Sequence, residues 1–227
     1  MTRTLHASPG LAEASAFAPP VITGTSAEQA LDILFQALLD VARRHDPDLE
    51  AVLHGTADIS RFSPETVYTI YIAAQPDEVW RALTSAKFSR QYFFGFAVEA
   101  DLRAGGAFIV RAPDGSEHIS GEVIVCQPPQ RLTITWDVNW PGLVEALGRT
   151  LVTYEIEPAG DAVRLTMTEA HDRPLSDDIL SGGRQGWPAI LSGLKSVLET
   201  GKPLAVKMPP PARMLAALKT LGVKLPG

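Results

Sequence analysis

The sequence is 227 residues long, with a formal net charge of −6 at pH 7 and with 45% hydrophobic and 20% charged residues. Such a chain is typical of an ordinary soluble globular protein with one sizeable domain and extensions, or at most two small domains. The acidic balance and the lack of Lys/Arg runs argue against nucleic acid as a partner, because phosphate neutralisation needs basic patches.

Nothing in the sequence indicates a membrane or an oxidising compartment. No run of about 18 or more apolar residues occurs, so we expect no membrane span and no membrane partner. The first 25 residues lack a signal-peptide pattern, and the single cysteine, Cys126, has no second cysteine to pair with. We therefore expect a cytoplasmic protein in which Cys126 is a small buried strand residue and not a nucleophile.

The N-terminal part of the chain is predicted to consist of a tail and a helix. Residues 1–25 are rich in Ala, Ser, Pro and Thr, which is typical of a flexible tail. Residues 26–63 form a helical extension, in which Ser26 is an N-cap and Gln29 stands at the capping-box position. The helix, at 26–44, must bury its apolar stripe either on the main domain or against a second copy, so a homodimer is one of two alternatives. The stripe comprises Leu31, Leu34, Phe35, Leu38, Leu39, Val41 and Ala42.

The main domain, predicted at 64–204, begins with a strand and two short helices. Residues 66–73 alternate and are rich in β-branched and aromatic side chains, which predicts a strand. Pro76 is tolerated in a first helical turn and opens a helix at 76–84, and a second short helix is predicted at 86–92.

Six further strands are predicted at short intervals, separated by turns that contain Gly and Pro. Consecutive short strands joined by tight turns favour an antiparallel meander. The predicted strands are at 96–102, 107–112, 118–126, 131–138, 149–157 and 162–170.

The hydrophobic period then changes to that of a long helix, which Gly201 and Pro203 end. A C-terminal extension at 205–227 contains a last short helix at 212–221. The apolar residues that recur at helical spacing are Trp187, Ile190, Leu191, Leu194, Val197 and Leu198. The residues that predict a kink or a break near the start of this helix are Gly182, Gly183, Gly186 and Pro188.

Together these elements predict an α+β fold, in which a curved antiparallel sheet wraps around a long C-terminal helix and encloses an apolar pocket. A curved sheet has a concave apolar face that must be covered. The long helix is the only predicted element with the length and the apolar stripe to cover it.

The order of elements and several local strings resemble the START-like helix-grip superfamily, in the branch of the C-terminal domain of the heat-shock-protein-90 ATPase activator. The resemblance covers about residues 66–204 and implies the helix-grip fold with a cavity between sheet and helix. Members include lipid and hormone carriers and polyketide cyclases, so the resemblance does not imply one chemistry. The matching strings are PDEVWRALT, RAGGAF, GEVIVCQPPQRLTITW and GWPAILSGLKSVLETGKPL.

Strand alternation assigns side chains to the face that meets the long helix. For the aliphatic residues on that face, packed core is the alternative to a pocket lining. Trp80 and the aromatic run at 92–94 either close one end of the pocket or fix the short helices to the sheet. The predicted pocket residues are Phe108, Val110, Trp136, Tyr154, Met167, Glu169, His171, Trp187 and Leu191.

Glu169 and His171 are the polar pair on this face. A carboxylate beside an imidazole in a half-buried site can act as acid and base or bind a polar ligand head. The alternative is that the strand leaves the sheet there and both side chains are solvated. No third metal ligand stands at a recognisable spacing, and no phosphate loop, dinucleotide fingerprint or GxSxG elbow occurs. We therefore expect no metal, no cofactor and no assigned catalytic residue.

The function predicted from these features is non-catalytic binding of a small hydrophobic or aromatic molecule in the pocket. One alternative is an enzyme, cyclase-like or hydrolase-like, that uses the same pocket. Another alternative, which rests on the family name, is a chaperone-regulating or other protein-interaction module.

Overall fold

The structure, a computed structural model, describes residues 59–204, 206 and 209–225. All of them belong to one compact unit. The predicted tail at 1–25 and the predicted helix at 26–44 lie outside the described residues, and so does the surface proposed for a homodimer.

Eight antiparallel strands form one sheet in the order β1-β8-β7-β5-β4-β3-β2, and β6 also pairs with β4. The predicted meander and α+β class are confirmed. The strands are β1 (Ser63–Ile72), β2 (Ala97–Ala100), β3 (Ala107–Arg111), β4 (Glu117–Gln127), β5 (Arg131–Thr135), β6 (Asp137–Val138), β7 (Thr150–Ala159) and β8 (Ala162–His171). The helices are α1 (Pro76–Thr84), α2 (Ala86–Tyr92), α3 (Leu143–Leu147), α4 (Asp177–Thr200) and α5 (Ala212–Thr220).

The strand predicted at 131–138 is interrupted at Trp136, which divides it into β5 and β6. The Trp136 amide donates to the carbonyl of Thr150 at 2.8 Å, while the next two residues pair with β4. The short helix α3, which had not been predicted, follows. It lies between Gly142 and Gly148, both with positive φ, a conformation that glycine adopts without steric cost.

The long helix α4 ends where its sequence predicts. The Ser176 side chain caps it by accepting from the amide of Ile179, and Gly201 ends it in the left-handed conformation. The predicted break near its start is wrong, because α4 is one continuous helix from Asp177 to Thr200 with Pro188 inside it.

Helix α4 passes through Pro188 because a distant side chain replaces the missing hydrogen bond. Proline has no amide hydrogen, so the carbonyl of Arg184, four residues earlier, has no helical donor. The hydroxyl of Tyr68 on β1 donates to that carbonyl at 3.0 Å. Satisfying a backbone oxygen in this way removes part of the penalty of an internal proline.

We expect Tyr68→Phe to lower the free energy of unfolding by about 1 kcal/mol, the usual net contribution of one hydrogen bond. In a Pro188→Ala background the same change should be less harmful, because the restored amide bonds to Arg184. Urea unfolding of the four proteins in a double-mutant cycle measures this coupling. Tyr71→Phe, at a tyrosine 57% exposed on the same strand, is the control and should change little. Equal losses in both backgrounds would contradict the compensation.

The hydrophobic core lies between the concave face of the sheet and α4. The strand faces assigned by alternation meet Trp187, Leu191 and Leu194 of α4 in one cluster, as predicted. Nearly all of this set is completely buried; its sheet members include Leu132, Ile134, Val152, Ile156, Val163 and Leu165.

Candidate functional site

A cavity of about 750 Å³ lies at one end of the interface between α4 and the sheet. It is bounded by the loop after α2, by β6 and α3, and by the ends of β7 and β8. The first half of α4 and the C-terminal segment, residues 206 and 209–218, complete the lining. The cavity therefore lies at the end of the sheet, where the strands no longer cover α4.

Aromatic rings form one side of this cavity, and we call them the aromatic wall. The rings of Phe93 and Trp136 stack with centroids 6.0 Å apart, and Trp136 lies 5.2 Å from Trp187. The ring centroid of Phe96 lies 4.7 Å from that of the His118 imidazole. Such rings offer large, rigid apolar surface to a flat ligand. The wall consists of Phe93, Phe94, Phe96, His118, Trp136, Trp140 and Trp187.

Three glycines of α4 face the cavity and leave space there. A Cβ atom added at Gly186 would meet nothing within 4 Å, so the cavity begins directly at the helix backbone. A Cβ at Gly183 would lie 2.5 Å from Oε2 of Glu169, and one at Gly182 would collide with the sulfur of Met214. The glycines that suggested a break therefore make room for the cavity and its acid.

The C-terminal segment, residues 206 and 209–218, forms another part of the cavity lining. Its lining side chains are apolar, and Gln185 of α4 fixes it by donating from Nε2 to the carbonyl of Pro209 at 3.3 Å. No pocket role had been predicted for this segment or for the three glycines. The lining residues that it contributes are Val206, Pro209, Pro210, Pro211, Met214 and Leu218.

Glu169 and His171 lie side by side at the end of β8 and both line the cavity. Oε2 of Glu169 accepts from the indole nitrogen of Trp187 at 3.1 Å. Nδ1 of His171 is 3.1 Å from the hydroxyl of Thr150 on the neighbouring strand. Nε2 of His171 is buried without a hydrogen-bond partner, 3.8 Å from Oε1 of Glu169.

Burial shifts both of these groups toward their neutral forms. It raises the pKa of Glu169 to about 7, although the Trp187 hydrogen bond and the charge of Arg184 both lower it. It lowers the pKa of His171, while Glu65 and Asp172 oppose that shift. Because the imidazole is neutral at pH 7 and the 3.8 Å separation exceeds hydrogen-bonding distance, the pair is not an ion pair.

Of the nine predicted pocket residues, four line the cavity: Trp136, Glu169, His171 and Trp187. The solvated alternative for Glu169 and His171 does not hold, because their side chains are 13% and 7% exposed. Phe93 and Phe94 line the cavity as well, whereas Trp80 and Tyr92 are buried away from it.

The other five predicted pocket residues, which lie deeper in the grip, are buried in the packed core and do not line this cavity. Strand alternation identifies which side chains point toward α4. It does not show where along that face the packed core ends and the cavity begins. Next to three of them there is only a void of about 10 Å³, room for about one water molecule. These five are Phe108, Val110, Tyr154, Met167 and Leu191.

Two structural features are missing among the described residues. In that part of the chain, no group of three or more His, Cys, Asp or Glu side chains is arranged to hold a metal ion. Across the same residues, none of the helices combines the length and the apolar character needed to span a bilayer.

A curved antiparallel sheet around a long helix, with a cavity at one end, defines a START-like helix-grip domain. Residues 73–199 match the family described as Activator of Hsp90 ATPase homolog 1-like protein. The match covers more than half of the chain, so the chain belongs to this family.

Solved structures similar to this chain share its fold. One is EF2215 of Enterococcus faecalis, a conserved protein of unknown function: 19% identical, TM-score 0.50, covering 76% of this chain and 97% of that one. Another is DynU16 of the dynemicin biosynthetic locus: 24% identical, TM-score 0.51, covering 61% of this chain and 48% of that one. At these identities the likeness shows the fold alone.

The family name and one further structure concern partners. Aha1 of Colwellia psychrerythraea, described as a dimer, is 19% identical with a TM-score of 0.48, over 60% of this chain and 96% of that one. A TM-score of this size carries no argument. Homodimerisation and chaperone regulation therefore stay predictions for the present chain.

One curated relative is a phosphoenolpyruvate carboxylase of Methylorubrum extorquens, 61% identical over 85 residues. These residues are 37% of this chain but 9% of that protein. The chain thus spans less than a tenth of the relative's length, and no carboxylase activity follows for it.

Proposed function

We propose that this protein binds a small hydrophobic or aromatic molecule in the cavity between the end of the sheet, α4 and the C-terminal segment. The observation that supports this most directly is the cavity itself. Its volume of about 750 Å³ lies within the range of small-molecule sites, which are mostly apolar with a few placed polar groups.

The lining of the cavity is also mostly apolar with a few polar groups, as in small-molecule sites. The aromatic wall faces an apolar C-terminal segment, and both meet a stretch of α4 where Gly186 leaves open space. Glu169 and His171 are neighbouring polar groups at the sheet end of the lining. A flat apolar molecule would bury its faces against rings and gain about 25 cal/mol for each Å² removed from water.

Gly186→Leu tests this proposal, because its side chain would extend into the empty space without a clash at Cβ. Wild type should bind bicyclic aromatics such as naphthalene derivatives in isothermal titration calorimetry. At about 100 times Kd the ligand should stabilise the fold by about 2.7 kcal/mol. Gly186→Leu should weaken binding at least about tenfold, since the cavity is filled.

Ser192→Leu is the matched control, because it places the same side chain on the exposed face of the same helix. It should bind like wild type. If neither calorimetry nor thermal unfolding detects any ligand with the wild-type protein, the binding proposal is wrong.

Catalysis in the same cavity is the second candidate function, and the acid–imidazole pair favours it. A carboxyl group with a pKa of about 7 exchanges protons readily near neutral pH, and His171 offers a neutral imidazole 3.8 Å away. A cyclase-like or hydrolase-like reaction would use both. Glu169→Gln tests catalysis, because the amide cannot exchange a proton and turnover would be lost.

A further inference from the structure

We infer that the ligand of this cavity is a hydroxylated aromatic molecule, and that Glu169 and His171 hold its hydroxyl group between them. This inference rests on the proposed binding function and names the class of ligand. It is carried by two neighbouring polar atoms of residues that line the cavity: Nε2 of His171, which has no hydrogen-bond partner among the described residues, and Oε1 of Glu169.

The first of these atoms is Nε2 of His171. It is buried, it has no hydrogen-bond partner, and its side chain is 7% exposed at the cavity lining. A buried nitrogen that remains unpaired is costly, so most such atoms in folded proteins have a partner. A ligand in the cavity can supply one.

The second atom is Oε1 of Glu169, 3.8 Å from that nitrogen. The other carboxyl oxygen, Oε2, is already engaged by Trp187. The distance is too long for a direct hydrogen bond between the two side chains. A single oxygen atom about 2.8 Å from each would bridge them at ordinary hydrogen-bond lengths.

A hydroxyl group fits this pair in either protonation arrangement, because it both donates and accepts. If Thr150 donates to Nδ1, then Nε2 of His171 carries the hydrogen and donates to the ligand oxygen, whose own hydrogen goes to the Glu169 carboxylate. If Nδ1 donates to Thr150, then Nε2 accepts the ligand hydrogen and a protonated Glu169 donates to the ligand oxygen. An ether or a ketone only accepts, so it can pair with both atoms only when both carry a hydrogen; when Glu169 is a carboxylate, the form that predominates above pH 7, Oε1 would stay unpaired.

The body that carries this hydroxyl is expected to be aromatic, because the polar pair and the rings share a residue. Trp187 donates to Glu169 and is also part of the aromatic wall, with its ring 5.2 Å from that of Trp136. A ring placed against the wall would therefore have its edge near the acid. A phenol or a similar hydroxyarene satisfies both regions with one rigid body.

Calorimetric titration of the full chain with 2-naphthol and 2-methoxynaphthalene tests the inference, because the two probes differ in the hydroxyl hydrogen. We expect 2-naphthol to bind about tenfold tighter, the effect of about one additional satisfied polar atom. In the double variant His171→Phe/Glu169→Leu, which removes both partners of the hydroxyl group, this preference should fall to about onefold when both proteins are measured at pH 8. His118→Phe replaces the imidazole on the aromatic wall and should keep the preference, whatever its effect on the two affinities together.

A second measurement needs no variant to fold. The ¹⁵N resonance of His171 Nε2 in the wild-type protein should shift when 2-naphthol binds, because that nitrogen gains a hydrogen bond. Equal binding of both probes, or a preference that persists in the double variant, overturns the hydroxyl inference and leaves the binding function intact. Failure of every aromatic probe to bind overturns both.

Discussion

Replacement of Trp187 by alanine is expected to lower the free energy of unfolding by about 3–5 kcal/mol, the range for removing a large buried aromatic ring. The Trp187 side chain is 4% exposed. Its ring packs on Trp136 and, edge to face at 6.5 Å, on Tyr154. The substitution also removes the donor to Glu169, which leaves a buried carboxyl group with one contact fewer.

Trp187→Phe separates the loss of ring packing from the loss of the hydrogen bond to Glu169. Phenylalanine keeps most of the ring area and lacks only the indole donor, so we expect a loss of about 1–2 kcal/mol. Urea unfolding at a fixed pH measures both variants, with Val67→Ala, at a side chain 58% exposed, as the surface control. A loss near zero for the alanine variant would mean that the ring contributes nothing to the core and only borders the cavity.

Glu169→Gln is expected to stabilise the protein above pH 7 and to leave its stability unchanged near pH 4.5. Burial raises the pKa of Glu169 from 4.5 to about 7 in the folded state. Between these values the folded chain binds more protons than the unfolded one, so Glu169 lowers stability as the pH rises through this window. A shift of this size corresponds to about 3 kcal/mol, and glutamine, which stays neutral, removes it.

His171 acts in the opposite direction and must be separated from Glu169. Its pKa is lowered by burial, so its contribution is present above about pH 6.5 and is lost as the pH falls. The charge of Arg184 also faces the acid and is the same in both proteins. The difference between wild type and Glu169→Gln in urea unfolding from pH 4 to 8 therefore isolates the acid. Parallel curves would contradict the raised pKa.

Most of the fold follows from local pattern. The bounds of α1 and α2 agree with their prediction, because Pro76 and the flanking residues determine them locally. The strands of the meander were predicted to within a few residues because alternation and turn residues are local properties too. The interruption at Trp136 was missed, since it depends on an amide that pairs with Thr150 of another strand.

The site was less predictable, because its shape depends on contacts between distant parts of the chain. Gly182, Gly183 and Pro188 suggested a break in α4, whereas the helix is continuous, and the Arg184 carbonyl that Pro188 leaves without a donor accepts from the hydroxyl of Tyr68, 116 positions away. Position 183 requires glycine because the Glu169 carboxyl group lies where a Cβ atom would be. No local sequence pattern indicates this contact. By contrast, strand alternation assigned Glu169 and His171 to the inward face from local pattern alone, and both residues line the cavity.

The aromatic wall also gives the protein an optical property. Three of the four tryptophans of the chain, Trp136, Trp140 and Trp187, border the cavity. The fourth, Trp80, is buried in α1, outside the cavity lining. Tryptophan emission therefore originates mostly beside the place where a ligand would lie, so occupancy can be followed by quenching or energy transfer without any label. A Trp80→Phe variant would confine that signal to the cavity.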